Sequence, residues 1–145
     1  MVNIYFAGSI RGGRDDLHIY QDLIKFLATK GTVLTEHIGH QNLLNDDGAE
    51  HNKTDRFIWE RDMEWLQSSS VIVAEVTQPS LGVGYELGIA EKSGIPVVLL
   101  YRTSPNKSLS AMLSGNVHFE KNIIYYKTVD EACAALEKVL PTVLP

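Results

Sequence analysis

Short apolar runs alternate with segments of helical period along almost the whole chain, and this alternation restricts the fold more than any other feature. Runs at about Ile4–Ala7, Thr32–Thr35, Val71–Val76, Pro96–Tyr101 and Asn122–Tyr126 predict strands. Between and after them, the periodicity predicts helices over about Asp16–Thr29, Asp55–Gln67, Val83–Ser93, Ser108–Leu113 and Val129–Val139. The first helix carries Leu17, Tyr20, Leu23, Ile24 and Leu27 on one face, with Asp15 or Asp16 as its N-cap and Gly31 just past its end. Strands separated by helices cannot form hairpins, so the repetition implies a parallel sheet covered on both faces.

A chain of 145 residues with 44% hydrophobic content has the size of one domain with one core, taken as residues 1–145. Five strands with short connections predict an α/β, flavodoxin-like doubly wound sheet in the order 2-1-3-4-5, with its topological switch point between the first and third strands. A net charge of −5 argues against a nucleic acid polymer as partner, because phosphate-backbone binders carry a basic patch or stripe. No run approaches the roughly 18 apolar residues of a membrane span. The single cysteine, Cys133, excludes an internal disulfide framework, and the opening Met1–Phe6 is interrupted too soon by Gly8 and Arg11 for a signal peptide. The expected compartment is the cytoplasm, with entry into the nucleus left open. The polar stretch from His37 to Lys53 is long for a loop and is a candidate lid.

Two loops converge at the switch point of such a sheet, where open parallel sheets bind ligands. The first, Gly8-Ser9-Ile10-Arg11-Gly12-Gly13-Arg14, combines three glycines, a hydroxyl and two guanidinium groups ahead of a helix. That suits an anion such as a phosphate, although a plain tight turn reads the same way. The second loop runs from Thr77 to Glu86 and offers Ser80 and Gly82. Walker and dinucleotide fingerprints are both absent, which disfavours nucleoside triphosphates and nicotinamide cofactors.

Two carboxylates carry the next signal. Ile58 lies four residues before Asp62, and Trp65 and Leu66 lie three and four after it, so Asp62 falls within the apolar stripe of its helix. Partial burial would raise its pKa and suit it to proton donation, whereas a structural carboxylate would be bonded to a neighbouring backbone group or arginine. Glu86 is expected in the first turn of its helix, where the macrodipole would keep it ionised as a nucleophile or electrostatic stabiliser, or would simply favour an acidic residue for helix stability. A raised acid opposite an ionised carboxylate is the pattern of glycosidic bond cleavage. Tyr5 is a strand residue whose hydroxyl is within reach of the crevice, and His37 is a candidate ligand contact. His37, His40 and His51 lack both the helical spacing and the cysteine partners of a zinc site, so no metal is assigned.

The segments Tyr5–Gly13, Thr32–His37, Asp62–Leu66, Val73–Gly88 and Leu109–Met112 together resemble the 2'-deoxynucleoside 5'-phosphate N-hydrolases, the Rcl group within the nucleoside 2-deoxyribosyltransferase superfamily. The resemblance covers roughly residues 4 to 115, and the Thr77–Gly88 run is its most specific part. It implies hydrolysis of the N-glycosidic bond of a 2'-deoxynucleoside 5'-monophosphate, without metal or cofactor. By this likeness Glu86 is the nucleophile on C1', Asp62 the acid that assists departure of the base, and Tyr5 their support. Ser9, Arg11, Gly12 and Ser80 match phosphate contacts. Ser110, and Met112 beside it, match positions that the second subunit of a homodimer supplies to its neighbour's site. A transferase that moves the deoxyribosyl group to another base, and a nucleotide-binding module without turnover, are the alternatives.

Overall fold

The structure, a computed structural model, describes residues 2–10, 16–40, 50 and 52–145. Its five strands are β1 (Asn3–Ala7), β2 (Thr32–Val33), β3 (Val71–Glu75), β4 (Val97–Arg102) and β5 (Ile123–Tyr126), and its helices are α1 (Leu17–Leu27), α2 (Asp55–Gln67), α3 (Leu81–Ser93), α4 (Ala111–Ser114) and α5 (Val129–Val143). All strand pairs are parallel and the order is β2-β1-β3-β4-β5, as the alternation predicts.

The pleat sorts the core into two layers. Ile4, Phe6, Val71, Val73, Val98 and Leu100 face α1 and α5, while Tyr5, Ala7, Ile72, Ala74, Val97 and Leu99 face α2 and α3. Every residue of β3 is buried, which is why this strand reads as a continuous apolar run rather than an alternation. Its last residue, Glu75, is fully buried as well. The Glu75 carboxylate accepts from the Thr77 amide and hydroxyl, both at 2.8 Å, and from the Tyr126 hydroxyl, and so ties the turn after β3 to β5.

Several boundaries differ from expectation. Helix α3 begins two residues earlier, at Leu81, because Ser80 caps it: the Ser80 Oγ accepts from the Val83 amide at 3.2 Å. Asp16 occupies the N-cap position of α1, yet its carboxylate does not cap; it pairs instead with Arg102 at 2.9 Å. Gly31 is not a left-handed C-cap. A Cβ there would lie 2.5 Å from the Val2 carbonyl oxygen, so close backbone approach is what that site demands. Among the described residues the left-handed glycine is Gly94 after α3, at φ 72°. Helix α5 continues past Val139 through Pro141, and the second strand is short, giving way to a 3-10 turn at Glu36–Gly39.

Candidate active site

A cleft of about 630 Å³ opens at the switch point between β1 and β3. Tyr5, Ala7 and Gly8 from the end of β1 form its floor, Ile58, Asp62 and Met63 of α2 one wall, and the Pro79–Val83 turn with Glu86 of α3 the other. Its volume lies in the range of small-molecule sites.

Glu86 stands in the second turn of α3, not the first, because the helix starts at Leu81. The macrodipole falls off within one turn, so the expected source of its ionisation is corrected. The Tyr5 hydroxyl takes that role by donating to the Glu86 Oε2. Burial pushes the Glu86 pKa up to about 7; the Tyr5 hydrogen bond opposes the rise, and the nearby charge of Asp62 adds to it. Tyr5 itself is pushed far above the ordinary tyrosine range, first by burial and then by the charges of Glu86 and Asp62. Its hydroxyl is therefore a permanent donor.

Burial also raises the Asp62 pKa, as its place in the apolar stripe predicts, while Arg61 draws it back down and Glu50 adds to the rise. Arg61 is the side chain that sequence reasoning passed over. Its Nε and Nη2 reach the Asp62 Oδ1 at 3.0 and 2.9 Å, and its Nη1 and Nη2 fork onto the two Glu50 oxygens at 2.8 and 3.1 Å. The guanidinium lies 4.9 Å from the Trp65 ring centre and 5.8 Å from that of Phe57. The spacing Phe57, Arg61, Trp65, four residues apart at each step on one helix, was the available signal. His37 is buried behind this cluster, with its Nε2 at 3.3 Å from the Arg61 Nη2 and its ring 5.6 Å from that of Trp65. It is not among the residues that line the cleft.

At the other end of the cleft, Gly8 is required by close packing, since a Cβ there would lie 2.9 Å from Cζ of Tyr20. Ser9 is fully buried: its amide donates to the Tyr20 hydroxyl at 3.0 Å, and its Oγ has no partner among the described residues. Ile10, Ser80 and Gly82 line the cleft. Arg11, Gly12, Gly13 and Arg14 lie outside the described residues, as do residues 41–49 of the candidate lid. Ser110 and Met112 border a second depression of about 520 Å³, and Pro79, Ser80, Leu81 and Val83 line both cavities. Among the described residues no group of three histidine, cysteine, aspartate or glutamate side chains could hold a metal ion, and no helix is long and apolar enough to cross a membrane.

A parallel doubly wound sheet that sets two carboxylates and a tyrosine into one switch-point cleft defines a class with carboxylate chemistry on a small ligand. The chain belongs to the nucleoside 2-deoxyribosyltransferase family, whose model matches residues 4–121. It is 53% identical over 116 residues to the 5-hydroxymethyl-dUMP N-hydrolase of Esox lucius, 80% of each chain. It is 46% identical over 136 residues to the protein of the same name from Tetraodon nigroviridis, 94% of this chain and 95% of that one. Among solved structures it is similar to a CMP N-glycosidase of Clostridium botulinum, with a TM-score of 0.65 at 18% identity, over 94% of this chain and 98% of that one. At that identity the likeness is one of fold.

Proposed function

We propose that this chain hydrolyses the N-glycosidic bond of 2'-deoxynucleoside 5'-monophosphates to a free base and 2-deoxyribose 5-phosphate. The observation that carries the reading is the Tyr5 hydroxyl donating to Glu86 in the same cleft as Asp62. A 2'-deoxy sugar lacks the electron-withdrawing hydroxyl, so positive charge develops at C1' with less resistance. Glu86, ionised, forms a bond to C1' as the C1'–N bond breaks, and Asp62 delivers its proton to the departing base. Water then attacks C1', the Asp62 carboxylate takes the water proton, and Glu86 leaves. The double displacement requires the two carboxyl groups about 5 Å apart, as in retaining glycosidases.

In this reading Ile58, Trp59 and Met63 form the apolar wall against the base. Ser9, Arg11, Gly12 and Ser80 hold the phosphate at the opposite end, where the first-turn amides of α3 have no partner within their helix. Gly82 lets the ligand approach the backbone, Gly8 and Ile10 line the cleft beside it, and His37 acts from behind the cluster around Asp62. The names of the Esox and Tetraodon relatives make 5-hydroxymethyl-dUMP the first substrate to test. The active unit proposed is a homodimer in which Ser110 and Met112 reach the neighbour's cleft. Supporting it, Leu81 and Met112, both on the second depression, are 97% and 79% exposed in the single chain. The compartments proposed are the cytoplasm and the nucleus, both reducing and so consistent with a lone free cysteine.

The family's description as nucleoside 2-deoxyribosyltransferase supports a second reading, transfer of the deoxyribosyl group to another base. Incubation with deoxy- and ribonucleoside 5'-monophosphates and the matching nucleosides, with and without a competing free base, separates the two when the products are chromatographed. Base released from the deoxy monophosphates alone, with the added base untouched, is the result expected. Incorporation of the added base supports the transferase, and no turnover of any compound, 5-hydroxymethyl-dUMP included, overturns both.

A further inference from the structure

Arg61 is one cation set between two carboxylates. Its side chain is 14% exposed and that of Glu50 is 4% exposed, so their charges meet in a largely dry setting. Glu50 takes the bidentate edge of the guanidinium, with both oxygens engaged, whereas both bonds from Arg61 to Asp62 fall on the same oxygen, Oδ1. The Nη2 nitrogen has two hydrogens and three neighbours: Glu50 Oε2 at 3.1 Å, Asp62 Oδ1 at 2.9 Å and His37 Nε2 at 3.3 Å. It cannot serve them all at full strength. With both carboxylates ionised the trio carries one surplus negative charge, and a single proton makes it neutral. Glu50 holds the guanidinium through both of its oxygens and Asp62 through only one, so that proton falls to Asp62.

We propose that Glu50, acting through Arg61, is a positioning residue that keeps Asp62 the protonated carboxyl of the cleft. Tyr5 completes the assignment from the opposite wall by holding Glu86 as the anion. The charged and titratable groups facing Asp62 support this division: Arg61 from its own helix, Glu50 ahead of that helix, Glu86 from α3, Tyr5 from β1, and His37 behind Arg61. Of these, Arg61 favours the Asp62 anion and Glu50 opposes it. The proposal rests on Asp62 being the acid of the reaction above.

The test follows the Asp62 carboxyl by carbon-13 NMR across pH in the full chain, beside the pH profile of kcat/KM. In Glu50→Gln the guanidinium charge is released to Asp62, and its midpoint should fall by about one pH unit. The alkaline limb of the profile should fall with it. Glu50→Asp, which retains the charge, should restore most of the wild-type midpoint. The double variant Glu50→Gln/Arg61→Gln removes both charges of the forked pair together, guards against loss of folding, and should move the midpoint the other way. An Asp62 midpoint in Glu50→Gln that coincides with the wild type overturns the proposal. A midpoint that moves while the alkaline limb stays still refutes Asp62 as the acid instead, and keeps the coupling.

Discussion

Tyr5→Phe isolates the hydroxyl that holds Glu86. Tyr5 is 2% exposed and its ring belongs to the core layer under α2 and α3, so phenylalanine keeps the packing and removes one donor. A hydrogen bond to a charged group is worth about 1.5–3 kcal/mol, which converts to about one to two pH units in the titration of its acceptor. The sign follows from which form is bonded: the hydroxyl stabilises the anion, so its loss raises the Glu86 pKa from about 7 to between about 8 and 9. At pH 7 the ionised fraction of Glu86 would fall from about one half to between roughly one in ten and one in a hundred. The assay is kcat/KM against pH, whose limbs report the free enzyme. The acidic limb should move upward by one to two pH units, with the loss greatest below pH 7. An acidic limb in the same place in wild type and Tyr5→Phe would refute the reasoning, since the hydroxyl would then do nothing to the ionisation of Glu86.

Removing the nucleophile in Glu86→Ala should lower kcat by at least about a thousandfold while calorimetry still detects binding of the monophosphate. Glu86→Gln should change how stability depends on pH. With a folded pKa of about 7 against an ordinary 4.5, Glu86 gives stability that is complete below pH 4.5 and is lost as pH rises through 7; denaturant titrations of the Gln variant should lack that decline. Ser80→Ala removes the cap of α3 together with a cleft hydroxyl, and should cost about 1 kcal/mol of stability while raising KM more than it lowers kcat. Gly94→Ala forces a side chain into the left-handed region at φ 72°, and should destabilise by about 1 kcal/mol with kcat unaltered.

The sheet was legible because its strands are separated by helical period throughout, and helix α2 was read to the residue because Thr54 caps it with a hydroxyl accepting from the Phe57 amide at 3.1 Å. Helix α3 was misjudged by two residues for a physical reason: Leu81, its first residue, is 97% exposed and contributes nothing to an apolar face. That small error propagated to Glu86 and the macrodipole. Asp62 could be found because it interrupts a stripe, but its partners could not. Glu50 is eleven residues from Arg61 in sequence, and His37 twenty-four, and no local period joins them. The Asp16–Arg102 pair and the bond from Tyr126 to Glu75 are equally long-range. They connect the ends of β3, β4 and β5 and the start of α1, elements that the sequence names one by one but does not place side by side.

The displacement of Glu86 from the first to the second turn of α3 has a chemical consequence for the proposed substrate. An anionic ligand at the mouth of α3 draws on the Leu81 and Gly82 amides, since the Val83 amide is taken by Ser80, and on the positive end of the macrodipole. A carboxylate in that turn would compete for the same donors and repel a phosphate across a few ångströms. One turn deeper, Glu86 leaves them to the ligand, but it also enters a drier setting that favours its neutral form. Tyr5 supplies from β1 the stabilisation that the helix end no longer gives. Nucleophile and phosphate anchor then draw on separate donors, one from the sheet and one from the helix. Loss of Tyr5 should therefore weaken turnover without weakening the hold on the phosphate, whereas loss of Ser80 should do the reverse.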